Sequence, residues 1–430
     1  MDYFRYRQGR LFCEDVDVDA IAAAVGTPTY VYSARTLLEH YRAIAEAFAE
    51  LRPLVCFSIK SLSNIHLLRL LAGAGCGFDV VSGGELARVQ AAGGTCAKAV
   101  FAGVGKTDRE IQEALAAGIA WFNVESEAEF ENLSRLASAR GRKARAAVRI
   151  NPDVYDRKTH AYTTTGKKET KFGVDIERAE RFFESYGRDP NVTLDAIHFH
   201  IGSPIYSAEP YVQAIGKTLD LIGRLRGRGF AVRALNIGGG FAADYEQGAS
   251  PCAADYARAI VPLLKGQGLE IIMEPGRQIA CNSAVLLARV QYVKQGGDRQ
   301  FVIVDAAMTD LIRPALYEAR HFLYPARLPA GQGDQVARTL DAAPPPGGVK
   351  VDVVGGVCES SDFLAKDRVL PPMARGDLLA VFSAGAYGFV MSSQYNSRPR
   401  ACEVLVDGSR WRIIRRRETY DDLFAAERDV

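Results

Sequence analysis

Between residues 54 and 274 the sequence alternates a short apolar run with a longer stretch of helical period, and it does so eight times. The runs are Val55–Ile59, Gly77–Val81, Lys98–Ala102, Ala120–Val124, Arg145–Ile150, Leu194–His200, Ala234–Ile237 and Leu269–Glu274. Each has the length and apolar character of a buried strand. A helical pattern over Ser33–Leu51 precedes them. Others over Ile65–Ala74, Glu85–Ala92, Asp108–Ala117, Glu125–Arg140, Glu177–Tyr186, Tyr211–Arg228 and Ala253–Gly266 separate or follow them. Strands that alternate with helices build a parallel sheet, and eight of them are enough to close a (β/α)8 barrel. An open doubly wound sheet is the alternative. The barrel is favoured because the chemically distinctive residues fall at the C-terminal strand ends, where barrels build their sites.

Past Ser283 the texture changes. Ala284–Lys294, Gln300–Asp305, Lys350–Gly355, Asp377–Ser383, Ala401–Val406 and Arg410–Arg415 are β-branched or apolar runs without long helices between them. They predict a mostly antiparallel, barrel-like β domain to which the first thirty residues add strands. The expected division is therefore a barrel over 31–283 and a β domain from 1–30 and 284–430. The Pro/Gly-rich stretch Ala326–Gly348 reads as a surface loop.

A chain of 430 residues is long enough for two such domains. Fifty-three Lys and Arg balance fifty-one Asp and Glu, which gives no electrostatic case for nucleic acid or a membrane as partner. The first fifteen residues lack the apolar core of a signal peptide, and no stretch matches a membrane span. The eight cysteines form no C-x-x-C pair, so reduced thiols and a cytoplasmic location are expected.

Four places at the strand ends carry chemistry. Lys60 follows an apolar run; alone it reads as a lysine snorkelling from a strand end, but a desolvated amine there can attack an aldehyde. Gly238-Gly239-Gly240 follows a strand and is equally a tight turn or a backbone cradle for an anion. Glu274-Pro275-Gly276-Arg277 ends the last strand, and barrels often bind phosphate beside their seventh and eighth strands. Ser203 adds a hydroxyl. A carboxylate such as Glu274 in a barrel mouth needs a cation: Arg277 on a structural reading, a pyridinium N–H on a functional one. His198 and His200 share one strand face. Without a third ligand a metal is discounted, so His200 suits stacking on a planar cofactor and His198 reads as a core histidine.

Taken as an ordered set, these residues resemble the fold-type III, alanine-racemase-like pyridoxal-phosphate decarboxylases of basic amino acids. Within that family they are most similar to the branch acting on diaminopimelate. The resemblance spans nearly the whole chain. It rests on Lys60, Phe78-Asp79-Val80-Val81-Ser82-Gly83-Gly84-Glu85-Leu86, His198-Phe199-His200-Ile201-Gly202-Ser203, Asn236-Ile237-Gly238-Gly239-Gly240, Glu274-Pro275-Gly276-Arg277, Cys358-Glu359-Ser360-Ser361-Asp362 and Gly385-Ala386-Tyr387-Gly388. It implies pyridoxal 5'-phosphate as cofactor, no metal, and a homodimer with shared active sites. Lys60 would carry the cofactor, His200 stack on it and Glu274 face its nitrogen. Asp79, Ser203, Gly238, Gly239, Gly240, Gly276, Arg277 and Tyr387 would hold it or lie beside it. Cys358 would protonate the substrate carbon, reaching with Glu359 into the partner's site. Arg313, with Arg277 and Tyr317, would bind the far carboxylate of the substrate; Glu359 and Tyr387 complete that end.

The stretches Ile312–Tyr317, Thr165-Gly166-Lys167, Lys171-Phe172-Gly173 and Ser392–Arg400 share the diaminopimelate character. Ser61-Leu62 after the lysine and Pro204 after Ser203 depart from the family's usual residues. The implied reaction is decarboxylation of meso-2,6-diaminopimelate to L-lysine. The rivals are another substrate of the same chemistry (ornithine, arginine, carboxynorspermidine or a carrier-bound amino acid) and an inactive homologue docked on a partner enzyme.

Overall fold

The computed structural model describes residues 2–156, 171–245, 250–339 and 342–428. The chain divides into two compact units, one of His40–Ala242 with Pro251–Gln278, the other of Met1–Glu39, Ala243–Ser250 and Ile279–Val430.

The first unit is a closed parallel barrel. Its strands are β1 Leu54–Ser58, β2 Gly77–Val80, β3 Ala99–Phe101, β4 Trp121–Val124, β5 Ala144–Asn151, β6 Val192–His198, β7 Ala234–Asn236 and β8 Glu270–Met273. They pair parallel in chain order, and β8 closes on β1 with Ile272 opposite Leu54. Every one of the eight runs predicted from the sequence is a strand of this barrel, because runs buried on both faces must be apolar throughout. Cys56, Val100, Trp121, Ala147, Ala196, Ala234 and Ile272, from seven strands, pack into one buried layer. Three alanines there leave room for the single large Trp121 ring.

Local chemistry starts the helices where the pattern placed them. Thr107 and Glu110 form a reciprocal capping box on the helix Asp108–Ala117. Ser82, Ser126 and Asn64 side chains accept the first backbone N–H groups of the helices Gly83–Ala91, Glu127–Ala139 and Ile65–Gly73. Among the described residues no helix is long and apolar enough to cross a membrane.

The second unit is a mostly antiparallel sheet. The long strand Ala284–Gly296 pairs antiparallel with Arg299–Val304, Leu378–Val381 and Thr29–Ser33. Two pairings are parallel: Thr29–Ser33 with Cys402–Asp407, and Arg299–Val304 with Val349–Val354. The N-terminal strand Thr29–Ser33 thus lies inside this sheet. Two strands of this sheet carry no apolar strand pattern in the sequence, Leu323–Pro325 and Phe363–Leu370. The first ends in proline, and the second carries Lys366, Asp367 and Arg368 mid-strand, charges suited to the edge position it occupies.

Candidate active site

In the barrel unit the predicted residues converge at the C-terminal strand ends. Lys60 sits in a single helical turn directly after β1, and Asp79 lies on β2 with Ser58 opposite it in register. The fully buried Asp79 carboxylate accepts from Lys60 Nζ at 2.5 Å and from Ser58 Oγ at 2.6 Å. Burial pushes the Asp79 carboxyl above its ordinary range, and the Lys60 ammonium opposes that rise.

Glu274, at the end of β8, is enclosed by three side chains from the barrel interior. Asn123 Nδ2 of β4 and Asn236 Nδ2 of β7 donate to its Oε1 at 2.9 and 2.6 Å, and His198 Nε2 of β6 lies 3.3 Å from its Oε2. Burial alone raises a carboxyl's pKa. Here the neighbouring His198, the Lys60 charge and the Asn236 amide outweigh it and hold Glu274 well below the usual carboxylate range. The group is thus a fixed negative charge with its position set by three strands.

His200 follows β6. Its Nδ1 accepts the Gly239 N–H at 3.1 Å, which places the ring proton on Nε2. Burial, with Arg149 and Lys60 adding to it, pushes its pKa far below the ordinary value, so the ring is neutral. The glycine triplet is packed against neighbouring loops. A Cβ on Gly239 would meet the Glu274 carbonyl oxygen at 2.1 Å, and one on Gly238 the Phe199 carbonyl oxygen at 2.4 Å. Gly238 N–H donates to Asn236 Oδ1 at 2.9 Å, so the Gly238 and Gly239 amides are both engaged within the protein. Arg277 is buried, and its Nε donates to Ser203 Oγ at 3.1 Å.

The sheet unit carries the second group of predicted residues. Arg313 opens the short helix Arg313–Tyr317 and is only 7% exposed. Its Nε donates to His321 Nε2 at 3.3 Å, and its guanidinium lies 5.0 Å from the Tyr245 ring centre and 6.0 Å from that of Tyr317. Among the described residues no carboxylate pairs with it. Cys358 and Glu359 lie exposed on a loop; Cys358 N–H donates to Asn396 Oδ1 at 2.8 Å, and Glu359 Oε1 accepts from Ser361 Oγ at 2.7 Å. Tyr387 adopts a left-handed backbone, φ +55°, in a turn after the strand Leu378–Val381.

Residues 34–281 match the family model described as pyridoxal-dependent decarboxylase, pyridoxal binding domain. The diaminopimelate decarboxylase of Pseudomonas aeruginosa is 49% identical over 99% of both chains. The crystal structure of the M. jannaschii diaminopimelate decarboxylase superposes with a TM-score of 0.91 at 34% identity, covering 100% of this chain and 98% of that one. That of the Helicobacter pylori enzyme complexed with L-lysine superposes at 0.88 and 38% identity, over 95% and 99%. The chain belongs to the diaminopimelate decarboxylase family of pyridoxal-dependent decarboxylases.

In this diaminopimelate decarboxylase family member, residue type at the strand ends marks most of the site, and that signal has gaps. Asn123 sits one residue before the end of β4 in an otherwise apolar run, and only the fold shows it meeting Glu274. Arg149 on β5 forms a buried ion pair with Glu125, its Nη1 shared between both carboxylate oxygens at 3.1 Å, and Gly103 and Gly173 N–H groups complete that carboxylate. An arginine inside a strand-like run was the available clue. His198, read as a core histidine, is indeed buried, but it lies against Glu274. Of the stretches with diaminopimelate character, Thr165-Gly166-Lys167 lies outside the described residues.

Proposed function

We propose that this protein decarboxylates meso-2,6-diaminopimelate to L-lysine, using pyridoxal 5'-phosphate carried on Lys60. The observation that carries the substrate assignment is Arg313: a guanidinium more than nine-tenths buried, stacked between tyrosines, with no acidic partner among the described residues. An uncompensated buried cation is costly, so a ligand anion is its natural complement. A guanidinium edge recognises a carboxylate with two parallel hydrogen bonds. Diaminopimelate has a second carboxylate to offer it; ornithine and arginine have none. The relative solved with L-lysine holds a molecule that retains that second carboxylate.

The barrel residues fit the cofactor. An amine stands on a strand end, a fixed carboxylate suits a ring N–H, and glycines at 238, 239 and 276 pack so closely on Phe199, Glu274 and Ser58 that no side chain of theirs intrudes at the strand ends. When bound, the cofactor would contribute an aldehyde for amines and a cationic ring that takes up the electron pair left on the substrate carbon when CO2 departs. The protein's part is positional and electrostatic. Glu274, kept ionised, would hold the cofactor's ring N–H; neutral His200 would support the ring; Asp79 holds the Lys60 amine. Ser203, Gly276, Arg277 and the amide of Gly240 would hold the phosphate, and Tyr387 is a further candidate for holding the cofactor. Cys358 delivers the proton to the substrate carbon, and Glu359 takes the distal ammonium. Because both are exposed on one chain, we assign them to the site of a second copy in a homodimer.

CO2 release from meso-diaminopimelate, its LL isomer, L-ornithine, L-arginine and carboxynorspermidine tests the reading. Activity confined to the meso isomer is expected. Turnover of ornithine in its place would show that Arg313 does not face the substrate.

A further inference from the structure

Arg313 is held in place by a residue that no substrate atom needs to touch. His321 lies between the helix Arg313–Tyr317 and the strand Leu323–Pro325 and is 1% exposed. Its Nδ1 is 3.0 Å from the Phe382 carbonyl oxygen. A carbonyl only accepts, so Nδ1 carries the proton and Nε2 presents a lone pair. That lone pair takes the Arg313 Nε–H at 3.3 Å. The Phe382 carbonyl is itself fixed by the sheet: Leu323 pairs with Val381, and the Phe382 N–H donates to Phe322 O at 2.8 Å. Tyr245 closes the arrangement, edge-on to the His321 ring at 5.4 Å and 87°, and within 5.0 Å of the guanidinium carbon.

We propose that His321 is a positioning residue that sets substrate specificity. It ties the Arg313 Nε–H to the sheet, fixes the rotation of the guanidinium and leaves the Nη1–Nη2 edge as a fork of set direction for the distal carboxylate. The inference rests on the reading of Arg313 as that carboxylate's partner. It adds that the orientation of Arg313 is written into a neutral histidine. Without that hydrogen bond the guanidinium keeps its charge but loses its direction, and bidentate recognition depends on direction.

The test uses the cofactor-loaded enzyme and two competitive inhibitors. L-Lysine keeps the distal carboxylate; cadaverine lacks it. In His321→Leu the Ki of L-lysine and the KM for meso-diaminopimelate rise about tenfold, the loss expected for one hydrogen bond to a charged group. The Ki of cadaverine stays within about twofold and kcat within about threefold, which a general loss of structure could not produce. His321→Gln, whose amide oxygen can accept the Arg313 Nε–H, recovers most of the L-lysine affinity. Arg313→Met loses more than either.

If Arg313→Met separates L-lysine from cadaverine but His321→Leu weakens both alike, or neither, the positioning role is wrong and the Arg313 reading stands. A His321→Gln variant as impaired as His321→Leu overturns the hydrogen-bond argument. If Arg313→Met itself fails to separate the two inhibitors, the distal-carboxylate reading falls and the inference falls with it.

Discussion

Glu274 shows how a single charge is made useful by its surroundings. Two asparagine amides and a histidine, from three different strands, occupy positions around a carboxylate buried in the barrel. Burial favours the protonated form, and these neighbours with Lys60 reverse the preference. Glu274→Gln keeps the shape but removes the charge, so kcat should fall by about 10²–10³, the usual cost of losing one preorganised electrostatic group. Cofactor absorbance should persist in that variant, because Lys60 is untouched. Retained activity would show that the ionised state of Glu274 is not used. Lys60→Ala is expected to abolish the absorbance of covalently held cofactor; a spectrum like that of the unaltered protein would remove Lys60 from the chemistry. The sequence made Lys60 and Glu274 visible because a charged residue ending an apolar run is conspicuous. It could not show Asn123 or His198 meeting Glu274, since they approach it from strands 76 or more residues away in the chain, and only barrel closure brings them together.

At the level of the element, the loop after β7 is packed closely against the ends of its neighbours. Gly239 lies against the Glu274 carbonyl, and the Tyr211 hydroxyl donates to the Gly239 carbonyl at 2.8 Å. Gly239→Ala should destabilise the fold by about 1–3 kcal/mol through overpacking and should also weaken cofactor binding. Gly216, in the interior of the helix Glu209–Gly227, is exposed, and an alanine methyl there would have nothing within 4 Å of it, so Gly216→Ala should instead stabilise by about 0.5–1 kcal/mol. Urea midpoints for the two variants should move in opposite directions; equal losses would mean that loop packing is not what makes position 239 a glycine.

This contrast also explains what was legible. Strand and helix positions follow from periodicity, which a sequence displays directly. A glycine triplet displays only permission. Whether its amides face an anion or the protein's own acceptors depends on neighbouring loops, and here Asn236 and His200 take two of them. The edge strand Phe363–Leu370 is hidden in the sequence for the opposite reason: its charges break the apolar run that marks a central strand.

For the whole molecule, buried carboxyls predict how stability responds to pH. Burial raises Glu85 in the barrel unit to about 7, with Lys60 and the Val81 N–H pulling it partly back. Burial likewise raises Asp310 in the sheet unit to about 7 against the Ala307 N–H. Glu129 and Asp362 shift in the same direction, each chiefly through burial. A carboxyl raised by folding binds its proton more tightly in the native state than in the unfolded chain. Between the ordinary carboxylate range and about pH 7 the native state therefore holds more protons, and stability falls as pH rises through that window. Glu274 is shifted the other way, but its contribution changes only below the ordinary carboxylate range. Buried His200, held neutral, opposes the trend below about pH 6.5, where the unfolded chain's imidazole takes up a proton, but one imidazole is outweighed by the two carboxyls that titrate over that range. Thermal unfolding followed from pH 5 to pH 8 should show a declining midpoint. Glu85→Gln with Asp310→Asn keeps both backbone hydrogen-bond acceptors and removes two of the titrating groups, so its decline should be shallower. A double variant whose midpoint tracks the unaltered protein across the whole range would show that neither carboxyl retains its proton on folding.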